Sequence, residues 1–134
     1  GTSYTNSSLK TGTSYTYTVR AMVKLKGKTY LSGYDKKGLS GTPRLSTPKI
    51  SSAVSTKSGI QLSWKSITGA NGYQVYRKTA SGWKKIGTTS KNTYIDKSTK
   101  KGSSYRYTVR AYRTVSGKKV LSSYDTKGTV VKRK

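Results

Sequence analysis

The chain has 134 residues, and its 28 Lys and Arg against three Asp, with no Glu and no His, give a formal net charge of +25. General acid–base catalysis needs His or two carboxylates with separated pKa values, and metal sites need clusters of such ligands, so the composition argues against an enzyme and against a metal or cofactor. Cys is absent as well, which excludes disulfides and thiol chemistry.

The first predicted strand lies near the amino end of the chain. Its apolar side chains alternate at Tyr15, Tyr17, Val19 and Ala21. Alternation with period two is typical of a strand that buries one face, and two further short strands are expected before residue 46. Residues 40–48, with the sequence SGTPRLSTP, are rich in Ser, Gly, Thr and Pro and predict a linker.

Beyond this linker the alternation continues through about seven short predicted strands. The clearest runs are Ile60-x-Leu62-x-Trp64, Tyr73-x-Val75 and Tyr105-x-Tyr107-x-Val109-x-Ala111. Gly-containing turns separate the strands, and no segment has the pattern of a capped helix. Seven short strands in about 90 residues indicate a two-sheet sandwich, in which Trp64 is expected to anchor the core.

An internal repeat relates the two parts of the chain. Residues 4–38 align without a gap with residues 94–128, at an offset of 90. One full repeat unit therefore occupies residues 47–134, and residues 1–46 correspond to the carboxyl-terminal half of a second unit. We expect one complete module preceded by half of another.

Three sets of residues together carry a family resemblance. They are Trp64 on the second strand of the full unit, Tyr73-x-Val75 on the third, and Leu9-x-x-Gly12-Thr13-x-Tyr15 before the first alternating strand. This combination resembles the fibronectin type III family, in particular its lysine-rich modules on Gram-positive surface proteins and secreted enzymes. The resemblance implies an all-β, immunoglobulin-like sandwich, an extracellular location, and a tyrosine corner at Tyr15 and Tyr105.

The half-module presents a packing problem. Its inward side chains have no partner sheet within residues 1–46, and an apolar face with open strand edges tends to recruit another chain. We expect this face to be covered by a second copy or by an upstream half-module. A third reading is that the sequence is a portion of a longer continuous chain, since it begins at Gly1 rather than Met.

Outward-facing residues of the full unit form a candidate binding face. Strand parity places Arg106, Arg110 and Tyr112 beside Tyr76 and Lys78, together with the outward residues Gln74 and Thr108. The hairpin residues Trp83, Lys84 and Lys85 add to the face. Tyrosines among cations can stack on sugars or bases while the cations hold an anionic backbone. The alternative is ordinary cross-strand packing on a solvated sheet.

These features favour a non-catalytic spacer and adhesion module of an exported or cell-surface bacterial protein. Its charge predicts general affinity for anionic polymers such as cell-wall polymers, glycans or nucleic acid. The alternative is a dedicated binding module for one such polymer. No apolar run approaches the length of a membrane span, so no membrane-spanning segment is expected.

Overall fold

The computed structural model describes residues 1–134 and contains twelve β-strands and no helix. The strands are β1 Tyr15–Tyr17, β2 Met22–Leu25, β3 Lys28–Leu31, β4 Leu39–Gly41, β5 Ile50–Thr56, β6 Gly59–Trp64, β7 Gly72–Thr79, β8 Gly82–Thr89, β9 Thr93–Asp96, β10 Ser104–Val115, β11 Lys118–Leu121 and β12 Thr129–Lys132. The chain divides into two compact units, Gly1–Pro43 and Arg44–Lys134. No helix has the length and apolar character needed to cross a membrane.

The second unit is a sandwich of two antiparallel sheets. One sheet has the order β5-β6-β9, and the other has the order β11-β10-β7-β8, with β12 pairing the first half of β10. This arrangement confirms the predicted all-β, immunoglobulin-like fold. The ladder along β10 has a gap between β11 and β12, where the hydroxyl of Ser122 accepts the Ala111 amide.

The core of the second unit is built from alternate residues of three strands. Its buried members are Ile60, Leu62 and Trp64 on β6, Tyr73 and Val75 on β7, and Tyr107, Val109 and Ala111 on β10, with Leu45 from the segment before β5. Each larger apolar side chain contributes about 1.5–3 kcal/mol by leaving water. Leu45 and Pro48 are buried although the sequence predicted a linker over residues 40–48, because both pack into the second unit.

The first unit contains two short antiparallel ladders. Strand β1 pairs with β4 and β2 pairs with β3, in the registers that β10 keeps with β12 and β11, displaced by 90 residues. No residue of Gly1–Pro43 is buried. The unit therefore has local hydrogen bonding without an apolar core of its own.

Candidate functional site

Strand register brings aromatic and cationic side chains to one side of the larger sheet of the second unit. Lys78 on β7 lies opposite Trp83 on β8, and Tyr76 lies opposite both Lys85 on β8 and Thr108 on β10. Directly paired residues point to the same side of a sheet, so these five side chains share the side that faces away from β5-β6-β9. We call this side the outer face.

The centre of the outer face is a shallow depression of about 200 Å³. Its lining residues are Tyr76, Trp83, Thr108, Arg110 and Tyr124. The Trp83 and Tyr124 rings meet edge to face, with centroids 6.3 Å apart. The Lys78 ammonium lies 5.5 Å from the Trp83 ring centre, and the Arg110 guanidinium lies 5.5 Å from that of Tyr124. The depression combines aromatic surface with the Arg110 cation, and the Lys78 ammonium lies over one of its rings, a composition suited to sugars or to anionic groups.

The segment between β11 and β12 is fixed on this face by hydrogen bonds. The Thr108 hydroxyl donates to the carbonyl of Asp125 at 2.9 Å, and Arg110 Nε donates to the carbonyl of Ser122 at 2.8 Å. Gly128 has φ +63°, and a Cβ there would lie 2.6 Å from the ring of Trp83. Glycine at this position therefore lets the indole pack directly on the backbone.

The predicted site residues do not all lie together. Arg106 is exposed at the rim, where its guanidinium donates to the carbonyl of Lys127 at 2.9 Å. Tyr112 lies away from the depression, beneath the Lys119 ammonium at 4.3 Å. Lys84 pairs with Arg77 and so points to the opposite side of the sheet from Trp83 and Lys85.

The outer face is less solvated than the sequence indicated. Thr108 and Gln74 were expected to face outward into solvent, and they are only 2% and 8% exposed. Thr108 is buried because the indole of Trp83 and the ring of Tyr124 lie over the middle of the sheet. Tyr124 was missed by the sequence reasoning, although the Tyr-Asp pair repeated at residues 34–35 and 124–125 was a signal for it.

Asp96 is the centre of a buried polar cluster on the other side of this sheet. One carboxylate oxygen accepts Arg77 and the Tyr107 hydroxyl, each at 2.8 Å. The other accepts the Ser98 hydroxyl at 2.7 Å and the Ser98 amide at 3.0 Å. A carboxylate has about four acceptor positions, so protein donors occupy all of them. Asp96 is therefore a structural group that joins β9 to β7 and β10.

These contacts set the ionisation of the cluster. Burial works to raise the pKa of Asp96, but the hydrogen bonds from Ser98 and Tyr107 and the charge of Arg77 outweigh it and hold that pKa below its ordinary value. Burial and the hydrogen bond to Asp96 raise the pKa of Tyr107. The carboxylate thus stays charged and the phenol stays neutral in the folded unit.

Most of the positive charge has no internal partner. Arg77–Asp96 is the only ion pair, with a distance of 2.8 Å. Asp35 and Asp125 instead accept the backbone amides of Lys37 and Lys127. No three His, Cys, Asp or Glu side chains are grouped as metal ligands. Nearly all Lys and Arg side chains of the chain therefore lack an acidic partner within the protein.

Two comparisons bear on this arrangement. The chain is 33% identical over 126 residues to Exoglucanase B of Cellulomonas fimi, and the match covers 87% of the chain. It spans only 11% of the length of that protein. No protein-family profile matches the chain. The similarity therefore concerns one small segment of a much larger bacterial protein.

Proposed function

We propose that the chain is a non-catalytic, fibronectin type III-like segment of a secreted bacterial polysaccharide-degrading enzyme. In this role it spaces the catalytic part from a surface and holds to anionic polymers through its charge. The similarity to a short segment of an exoglucanase supports the enzymatic setting. The full occupation of the Asp96 carboxylate by protein donors supports a non-catalytic role.

One observation carries the affinity for anionic polymers: a single ion pair forms in a chain that has 28 cations and three acids. Cations without internal partners attract mobile anions, and a polyanion that replaces these anions releases them to solution. The release is entropically favourable and does not depend on polymer sequence. The affinity should therefore fall steeply as salt concentration rises.

A matched pair of triple variants tests this proposal. The first variant carries Lys78→Gln, Lys85→Gln and Arg106→Gln on the outer face, and the second carries Lys57→Gln, Lys65→Gln and Lys91→Gln elsewhere on the second unit. Binding of a single-stranded oligonucleotide is titrated at several salt concentrations. Each neutralised phosphate contributes about 0.7 to the salt slope on a single strand, so each variant should lose up to about 2 units of slope.

Equal losses in the two variants would support general affinity, because only the number of cations would matter. Binding that persisted at high salt, or no binding at low salt, would refute it. The second candidate function is a dedicated binding module, which is favoured by the depression that Trp83, Tyr124 and Arg110 line. That function requires a loss confined to the outer-face variant, together with quenching or a shift of Trp83 fluorescence on binding.

A further inference from the structure

The same five residues adopt two different structures in this chain. The sequence YTVRA occurs at residues 17–21 and again at residues 107–111. In the second unit all five residues belong to β10, and Val109 is 1% exposed. In the first unit the strand ends at Tyr17, and Val19 is 84% exposed. The difference cannot come from local sequence, so it reflects what surrounds each copy.

The hydrogen bonds of the backbone amides in residues 10–32 otherwise match those in residues 100–122 of the second unit. The Lys10 amide donates to the Tyr15 hydroxyl at 3.0 Å, and the Lys100 amide donates to the Tyr105 hydroxyl at 2.8 Å. The Ala21 amide likewise donates to a serine hydroxyl at 3.0 Å, as the Ala111 amide does at 2.9 Å. The first unit therefore already has the hairpin geometry of the corresponding half of a complete module.

The second unit shows what the first unit lacks. Strand β7 pairs with β10 from Tyr107 to Tyr112, on the edge that β11 and β12 leave free. Residues 17–22 correspond to this stretch and have no such neighbour, because β1 and β2 pair only with β4 and β3. Amides and carbonyls at an unpaired edge of this kind are available to an incoming strand.

The surface beside this edge of the first unit corresponds to the place in the second unit where Trp83 contacts Gly128. A depression of about 570 Å³ beside the edge is lined by residues that include Thr18, Tyr34 and Gly38. Gly38 has φ +63°, as Gly128 has, but the three atoms nearest to a Cβ placed on it belong to Tyr17 and Thr16. At Gly128 the nearest atom belongs to Trp83 of β8. The depression corresponds to the position of an indole on a β8-like strand.

We propose that the first unit is a preformed strand acceptor whose occupant is a four-strand segment of the same design as residues 44–93, since residues 4–38 already supply the counterparts of residues 94–128. The occupant is carried by the same parent polypeptide. Its β7-like strand runs antiparallel to residues 17–22 in the register that pairs Arg77 with Tyr107 and Gly72 with Tyr112. Its β8-like strand fills the depression with an aromatic side chain. This inference is independent of the proposed function.

A second copy of the chain fits this surface less well. Its strands β5 to β9 already cover its own β10, where Tyr107 is 0% exposed. Using them to cover another chain's first unit would expose the apolar face of that β10. Each such exchange would uncover as much surface as it buried, so it provides little net stabilisation.

The test adds a copy of the first strands of the second unit in front of the first unit. A copy of residues 44–93 is joined directly before Tyr4, in place of Gly1–Ser3, because Tyr94 corresponds to Tyr4 at the offset of 90. Hydrogen exchange of the Thr18–Ala21 amides should slow by about a hundredfold or more, the protection that a cooperatively folded domain gives. The amides of Tyr107–Ala111 in the same chain provide the internal reference for a folded module.

The matched control carries Val75→Asp in the added copy alone, which places a charge in the new core. Its Thr18–Ala21 amides should exchange as fast as in the 134-residue chain. Unchanged exchange in the extended chain, with the reference amides protected, would overturn the proposal.

Sedimentation of the 134-residue chain gives a second measurement that needs no variant. A monomer with fast exchange at Thr18–Ala21 is expected, and a dimer with these amides protected would assign the site to a second copy.

Discussion

The two tryptophans of the chain differ in what surrounds them. Trp64 is 2% exposed and meets the Tyr73 ring edge to face at 5.3 Å, within the core of the second unit. Trp83 is half-buried on the outer face. Trp64→Ala should lower the free energy of unfolding by roughly 3–5 kcal/mol, because it leaves a cavity in the core. Urea denaturation of both Trp→Ala variants checks this, and an equal or larger effect at Trp83 would contradict it.

The Asp96 cluster predicts a specific pH dependence of stability. The pKa of Asp96 lies below its ordinary value in the folded unit. The stabilisation that the charged carboxylate gives the fold is therefore fully present above the unfolded pKa of about 3.9. It is lost as the pH falls through the lower, folded pKa. Unfolding free energies measured from pH 7 down to pH 2 should therefore decline in this window, and Asp96→Asn should flatten that decline.

Tyr107→Phe provides the companion variant for this pH series. It removes a hydroxyl that donates to the Asp96 carboxylate at 2.8 Å. The folded pKa of Asp96 should rise as a result, and the acid decline should begin at a higher pH. An acid decline that keeps its position in this variant would show that the hydrogen bond does not set the pKa.

At the level of single strands, the repeated pentapeptide allows a direct comparison of context. Val109→Asp places a carboxylate in the apolar core of the second unit and should unfold that unit. Val19→Asp makes the same change at an exposed position and should alter stability by no more than about 0.5 kcal/mol. Thermal unfolding followed by circular dichroism distinguishes them, and equal shifts would mean that the first unit has a core of its own.

For the molecule as a whole, the two units should differ in their resistance to proteolysis. The first unit has no buried residue, and its Arg20, Lys24 and Lys28 are exposed. Brief digestion with trypsin should therefore cleave within residues 1–43 and leave a resistant fragment that contains residues 50–132. Mass spectrometry of the time course identifies the first cuts. Early loss of the second unit would contradict the division into a core-containing and a coreless part.

Much of this architecture was determined by the sequence alone. The period-two runs predicted the strands, the glycine turns separated them, and the offset of 90 predicted one complete and one half module. The composition also argued against catalysis, because one chain with three acids and no His has few groups for proton transfer. These properties are local or compositional, so they can be read without knowing which strands meet.

Only the tertiary structure decided which side chains of these strands are buried and which neighbours they contact. It buried Val109 and exposed Val19 within identical pentapeptides, because the β5-β6-β9 sheet packs against β10 and no second sheet packs against residues 17–21. It brought Tyr124 to Trp83 and turned Lys84 to the opposite side, through the loop after β11 and the register of β8. Alternation along a strand shows that two faces differ. Whether a face is covered depends on residues distant in the chain, and that information resides in the packing of one sheet against another.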